Sequence, residues 1–479
     1  MSESVNKNAE YVKLRDLGHH AIDRLLEHLA TLPVGPVYVP VPVHERQAIL
    51  GQPLPVEGTD PLRIVDDIVK DVFRFPMGNN HPRFFGWVNS PASPISVIAS
   101  LLAAGLNPSC AGGDHAAIYL ERAVLDWIKL LLGFPRDAMA LLVGGGSSAN
   151  LTALAVARHV LLARAGWDFR ERGMNGAPPL AVFMTEQSHS SITKAVELLG
   201  IGKSAIRYVP TGPDYRMDVK ALAPMVDSWT HVENAAAIVV ANAGTVNTGS
   251  VDPINEIADL CSEKGLWLHI DGAYGAPAVL AAEMRDLFAG LERADSIAVD
   301  PHKWLYVAVD CGCVIVRDEP AMRQAFSLVP PYLKDTSGAP PWFSEYTYEQ
   351  TRPFRALKLW AALRARGVDG YRADITRDLG LARRLGSQVQ ASTDFELVAP
   401  VTLSVVAFRY ASPVLKGNVQ LIDEVNALLP RAIQEQGRIF LSGTTLGGRP
   451  VLRCCFVNFR TTESDVDQIL DAVRDAVPM

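Results

Sequence analysis

Apolar positions along this chain follow two patterns. From about residue 139 onward, short and nearly continuous apolar runs alternate with stretches whose apolar residues recur at helical spacing. The runs at 141–143, 180–184, 205–209, 236–241, 266–270, 296–299 and 313–316 read as strands, and helical patterns at 149–165, 190–200, 218–227, 253–264 and 280–289 separate most of them. A strand that is apolar on both faces must be covered on both faces. The alternation therefore predicts an α/β fold, a mostly parallel sheet of the seven-stranded type between helices, with its ligand site at the carboxyl ends of the strands.

The flanks differ. Residues 11–32 carry Leu14, Leu17, Ile22, Leu25, Leu26 and Leu29 at helical spacing, and the proline-rich stretch P-V-G-P-V-Y-V-P-V-P-V follows as a stiff, extended tether. An amphipathic helix at the end of a tether needs a surface to cover, on its own subunit or on a second one. Further helices are expected at 61–75, 95–105 and 116–132, with an aromatic-rich turn segment at 81–94. Residues 330–350 break the pattern with Pro330, Pro331, Gly338, Pro340, Pro341 and several aromatics, too long for a simple connector and suited to a lid. Helix resumes at 355–366. Beyond it, helices at 370–393, 419–437 and 462–477 and strands within 395–410 and 438–457 predict a smaller α+β domain. The expected organisation is a helical arm at 1–84, a large α/β domain at 85–365 and a small domain at 366–479.

Composition narrows the partners. The 479 residues are 48% hydrophobic and 20% charged with a net charge of −7, so neither nucleic acid nor an acidic membrane is expected. No apolar run approaches bilayer length and the first residues contain no apolar signal core, so a cytoplasmic location is expected. The six cysteines form no C-x-x-C pair and read as buried free thiols, with no metal site.

Chemistry gathers where the runs end. In S-I-A-V-D-P-H-K-W (296–304), Lys303 follows a buried strand end and stands between His302 and Trp304. Desolvation makes a lysine amine nucleophilic and able to form a Schiff base, although a lone lysine more often snorkels to water. Gly144-Gly145-Gly146-Ser147-Ser148 precedes a helix, where free N–H groups and the helix dipole favour a phosphate, although a glycine turn alone is usually only a turn. Asp271 ends the apolar run of L-W-L-H-I-D-G-A-Y, as a partner for a protonated ring nitrogen or as a helix cap. His189 in T-E-Q-S-H-S-S could stack on a planar cofactor, move a proton or be structural. Together these fit pyridoxal 5′-phosphate: Lys303 on its aldehyde, the 145–148 turn on its phosphate, Asp271 on its ring nitrogen and His189 on its ring face.

At this point the chain resembles a known family, the fold-type I, group II pyridoxal-phosphate decarboxylases related to aromatic-L-amino-acid decarboxylase. The motifs are H-P-R-F-F at 81–85, L-E-R-A-V-L-D-W at 120–127, G-G-S-S-A-N-L at 145–151, H-I-D-G-A-Y at 269–274, D-P-H-K-W at 300–304, F-R-A-L-K-L-W at 354–360 and V-N-F-R-T-T at 457–462. The resemblance implies a homodimer with a swapped N-terminal arm. It implies cofactor contacts from Gly146, Ser147, Ser148, Thr245, Ala273, Asp300 and His302, and substrate contacts from Phe84, Phe85, Trp87 and Ser90. It implies decarboxylation of an L-amino acid, expected to be aromatic, with an oxygen-dependent aldehyde synthase as the alternative and a non-catalytic cofactor-binding dimer as a second. Two departures stand out. Residues 107–115 are small and polar where members with bulky substrates carry large residues. Members also use a loop tyrosine to reprotonate the carbanion, and a gapless count from F-R-A-L-K-L-W sets Phe343 at that position, with Tyr332, Tyr346 and Tyr348 nearby. Relatives with phenylalanine there divert to aldehyde.

Overall fold

The structure, a computed structural model, describes residues 2–328, 340–415 and 417–477. Its centre is a sheet of seven strands: β1 Met139–Val143, β2 Leu180–Met184, β3 Ile206–Tyr208, β4 Ala236–Asn242, β5 Trp267–Asp271, β6 Ser296–Val299 and β7 Gly312–Val316. They lie in the order β1-β7-β6-β5-β4-β2-β3, and only β7 runs antiparallel to its neighbours. Every residue of β1, β2, β5, β6 and β7 is buried, which is why these segments read as unbroken apolar runs.

Register sets the site. Asp271 lies level with Asn242 on one side and Ala298 on the other, and Val143 of β1 lies level with Gly312 of β7. The chain therefore leaves β1, β4, β5 and β6, and enters β7, along one edge. Helix Gly146–Arg164 packs over β5, β6 and β7 through small buried residues, among them Ala149, Ala153 and Ala157, which let the helix and its N-terminus come close to that edge.

The helical expectations hold in placement and shift in extent. The glycine-serine turn is part of the following helix, which starts at Gly146, because a first turn of glycine and serine carries no apolar period. Residues 280–289 form 3₁₀ turns (Ala276–Leu280 and Ala282–Phe288) in place of an α-helix. Ala281, Met284 and Leu287 recur every three residues, a spacing that fits either helix. Arg355–Ala391 is one long helix kinked at Gly367, whose φ of +67° suits glycine. The tether gives way to a short helix, Val43–Leu50, which its prolines did not announce.

A second sheet, β8 Phe395–Leu397, β9 Val405–Tyr410, β10 Ser442–Leu446 and β11 Arg449–Cys455, is antiparallel in the order β10-β11-β9-β8 and is backed by helix Val419–Gln436. Its separate core includes Phe85, against Phe456 at 5.3 Å, so the segment around residue 85 serves the small sheet as well as the large domain. The first helix, Ser2–Thr31, meets helix Pro61–Ile68 through His20 and Arg24 on Asp66, at 2.9 and 3.2 Å. Leu14 and Leu26 on one, Ile64 and Ile68 on the other, and Leu101, Leu102 and Leu106 on helix Pro94–Leu106 remain exposed.

Candidate active site

One cavity of about 310 Å³ opens where the strand ends converge. Its floor is the turn between β1 and helix Gly146–Arg164. Gly145 has φ +153°, and a Cβ on it would come 3.3 Å from the His302 ring. A Cβ on Gly146 would meet Asp300 Oδ2 at 2.9 Å, and one on Gly312 would strike the Gly145 backbone at 2.4 Å. Only glycine lets these backbones approach, which leaves the N–H groups of a 19-residue helix, with Ser147 and Ser148, facing the cavity. This cradle, which a Cβ would fill, fits a phosphate.

Asp271 stands at the end of β5, where the backbone N–H of Ala273 donates to Oδ1 at 3.2 Å and Asn150 Nδ2 donates to Oδ2 at 2.9 Å. The Asn150 contact is one link in a buried chain. Trp267 Nε1 donates to Ser296 Oγ, Ser296 Oγ meets His269 Nδ1, and His269 Nε2 meets Asn150 Oδ1, each at 2.9 Å. Asn150 Nδ2 also donates to Ser191 Oγ at 2.9 Å, and Ser191 Oγ meets His189 Nδ1 at 2.8 Å. An amide oxygen only accepts, so His269 carries its proton on Nε2 and accepts the Ser296 hydroxyl at Nδ1. Burial pushes His269 well below the ordinary histidine value, in keeping with a neutral ring. All donors therefore run in one direction, towards Asp271 and His189.

His189 caps helix Ser190–Leu198. Its Nδ1 accepts the Ser191 N–H at 3.2 Å as well as the hydroxyl, so its proton is on Nε2. Its outer face is open, yet desolvation of the rest of the ring pushes it below the ordinary value, and Asp271 opposes that only in part. Lys303 lines the same cavity with Nζ 3.0 Å from Asp300 Oδ2, and His302 Nε2 is 3.7 Å from the same oxygen. His302 Nδ1 donates to the Cys311 carbonyl at 2.7 Å, and its own carbonyl accepts from Ser90 Oγ at 2.9 Å. Thr245 is buried in the wall and bonded to Thr248 at 2.8 Å.

The structure thus brings Gly146, Ser147, Ser148, His189, Thr245, Asp271, Ala273, Asp300, His302 and Lys303 to one cavity. Sequence reasoning missed Asn150, Ser191, Gln187 and Asn242, which also line it. Asn150 could have been found. It sits one helical turn beyond Gly146, on the face that must look at the strand ends.

Within the single chain, none of the residues expected to contact substrate lines this cavity. Phe84 stacks on Phe440 at 4.7 Å, Phe85 is in the small-domain core, and Trp87 leans on Phe440 with 46% of its surface exposed. Ser90 reaches the site only through the His302 carbonyl. The aromatics of 84–87 fasten the small sheet to the large domain, a packing task that sequence cannot distinguish from lining a pocket. The described loop residues do not line it either. Phe343 is fully buried between the guanidinium groups of Arg122 and Arg352, 4.8 and 4.9 Å from its ring, and does not line the cavity. Tyr346 is buried with its hydroxyl donating to Glu319, and Tyr348 is 59% exposed. Tyr332 lies outside the described residues. The segments 107–115 and 340–352 are joined: Ser344 N–H donates to the Ala111 carbonyl and Cys110 N–H to that of Arg352, at 3.0 and 2.7 Å.

Comparison with known proteins agrees with this geometry. A family profile described as the pyridoxal-dependent decarboxylase conserved domain matches residues 42–411. Aromatic-L-amino-acid decarboxylase of Bacillus atrophaeus is 34% identical over 99% of this chain and 97% of its own length. Phenylacetaldehyde synthase of Arabidopsis thaliana is 29% identical over 99% and 98%. Among solved structures, that of Oryza sativa TDC with PLP and tryptamine superposes with a TM-score of 0.90 at 28% identity, covering 97% of each chain.

Proposed function

The chain belongs to the pyridoxal-dependent decarboxylase family and is an amino-acid decarboxylase that works with pyridoxal 5′-phosphate; from that premise we propose that its substrate is an aromatic L-amino acid and its product the amine. The observation that carries the reading is the convergence of an amine, a carboxylate, a neutral imidazole and a helix N-terminus on one cavity. When bound, the cofactor supplies an electron sink for the carbanion left by loss of CO₂.

The chain's own residues do the rest. Lys303 binds the aldehyde through Nζ. The N–H groups and hydroxyls of 146–148 hold the phosphate and fix the ring's place. Asp271, held on both oxygens, keeps a proton at the ring nitrogen, and Asn150 stops the carboxylate from turning away. His189 is neutral, with its N–H on Nε2, so it covers a ring face without adding a positive charge.

An aromatic substrate is supported by the names of the relatives and by the treatment of the one arginine in the 81–87 segment. Arg83 donates to the Arg438 carbonyl at 2.9 Å and is turned away from the cavity, so it offers no counter-charge to an acidic side chain. Amine over aldehyde is favoured because Phe343, the reason to expect an aldehyde, is a core residue. A homodimer is supported by the exposed apolar residues Leu14, Leu26, Ile64, Ile68, Leu101 and Leu102 on three helices, which have no cover within the described chain. A cytoplasmic place belongs to the same reading and is checked by fractionation; no helix among the described residues is long and apolar enough to cross a membrane.

The test is a panel of amino acids assayed under air for CO₂, amine, aldehyde and ammonia. Higher kcat/KM for phenylalanine, tyrosine or tryptophan than for glutamate or aspartate, with amine as product, is expected. The reverse preference, or aldehyde with peroxide, rejects the reading. Sedimentation showing an active monomer rejects the dimer.

A further inference from the structure

Asp300 is 2% exposed, and its Oδ1 has no hydrogen-bond partner among the described residues. The carboxylate faces the phosphate cradle: a Cβ on Gly145 would lie 4.0 Å from Oδ1, and one on Gly146 would lie 2.9 Å from Oδ2. Its near cation is Lys303 Nζ at 3.0 Å from Oδ2, the amine that must be committed to the cofactor's aldehyde. His302 Nε2 stands further off, at 3.7 Å from the same oxygen, with its other nitrogen bonded to the Cys311 carbonyl. The remaining titratable neighbours offer little. The Cys311 thiol is pushed up to about 12 by burial, His189 is pushed down and neutral, Asp271 is itself an acid, and Lys358 and Arg355 are bound to Asp310.

A carboxylate and a phosphate are both acceptors and both anionic. With an acidic side chain in the wall of the cradle, the two can bond to each other only through a proton, and like-charged acids that share a site retain one. We propose that Asp300 takes up one proton from solvent as the phosphate enters, and that the proton is shared between Oδ1 and a phosphate oxygen. Cofactor affinity is then linked to pH through a residue that takes no part in the electron sink. This rests on the cofactor reading above.

The experiment is calorimetric titration of the full-length chain, freed of cofactor, with pyridoxal 5′-phosphate in buffers of different ionisation enthalpy at pH 8. The unmutated chain should take up about one proton more than Asp300→Asn, which offers an N–H donor without needing a proton. Its log Kd should rise with pH about one unit per pH unit more steeply than that of the variant. Pyridoxal, which lacks the phosphate, should give equal proton counts for both chains. Equal counts with the phosphate-bearing cofactor overturn the inference and leave the reading intact. Failure of the unmutated chain to bind the cofactor overturns both. Should Asp300→Asn not fold, the unmutated chain alone decides: about one proton more for pyridoxal 5′-phosphate than for pyridoxal upholds the inference, and no difference ends it.

Discussion

Asn150 is the residue whose loss tests the buried chain most sharply. It is 1% exposed and makes three bonds of 2.9 Å: one donated to the Asp271 carboxylate, one donated to Ser191 and one accepted from His269. In Asn150→Ala the bond to a charged partner accounts for about 1.5–3 kcal/mol and each neutral bond for about 1 kcal/mol. Nothing else in the cavity wall replaces the acceptor of the His269 N–H. The apo protein should therefore lose about 3–5 kcal/mol in urea unfolding. Only the Asp271 share bears on catalysis, and about 2 kcal/mol there corresponds to about a 30-fold fall in kcat/KM. Asn150→Asp separates the two effects. It keeps an acceptor for His269 but sets a second carboxylate against Asp271, so stability should fall less and kcat more, with a new pH dependence of the bound-cofactor absorbance. An Asn150→Ala protein that matches the parent within 0.5 kcal/mol in unfolding and twofold in kcat/KM would refute the chain as a positioning device.

Other outcomes follow from the same structure. Asp271→Asn should bind the cofactor with a similar Kd but lower kcat by several orders of magnitude, read in single-turnover assays; parent-like turnover would move the role elsewhere. His81 is buried and held in its neutral form, accepting the Arg83 N–H at Nδ1, and burial pushes it down from 6.5 to about 4. Its contribution is fully present above pH 6.5 and is lost as pH falls towards 4, by up to about 3 kcal/mol, so His81→Gln should flatten that part of the stability–pH curve; an unchanged slope in urea unfolding would count against it. Phe343→Tyr should leave the amine-to-aldehyde ratio unchanged and cost about 1–3 kcal/mol, because it buries a hydroxyl between Arg122 and Arg352; a shift in products would return Phe343 to the site.

What could be read in advance follows from periodicity. β2 and β6 were legible to the residue because both faces are buried and the runs are bounded by polar or turn residues. Asp271, Lys303 and His189 were legible because each polar residue follows an apolar run, and a sheet of this kind brings its strand ends together. Asn150 and Ser191 were not. They sit inside helices, where a polar residue normally means solvent, and only the close approach of helix Gly146–Arg164 turns them inward. That Phe84, Phe85 and Phe343 pack into cores was not legible for the converse reason: aromatic side chains near a site are equally at home in a core, and which they fill depends on the small sheet and on the buried Glu121–Arg352 pair, both remote in sequence.

The central claim is that Lys303 holds the cofactor in the cavity bounded by Asp271 and the 146–148 turn. Borohydride reduction of the holoprotein, followed by peptide mapping, tests it directly. A pyridoxyl phosphate group is expected on the peptide that contains Lys303, and its absence, with loss of the bound-cofactor absorbance, in Lys303→Ala. A label on Lys194 or Lys358, or one that persists in Lys303→Ala with turnover intact, would contradict it.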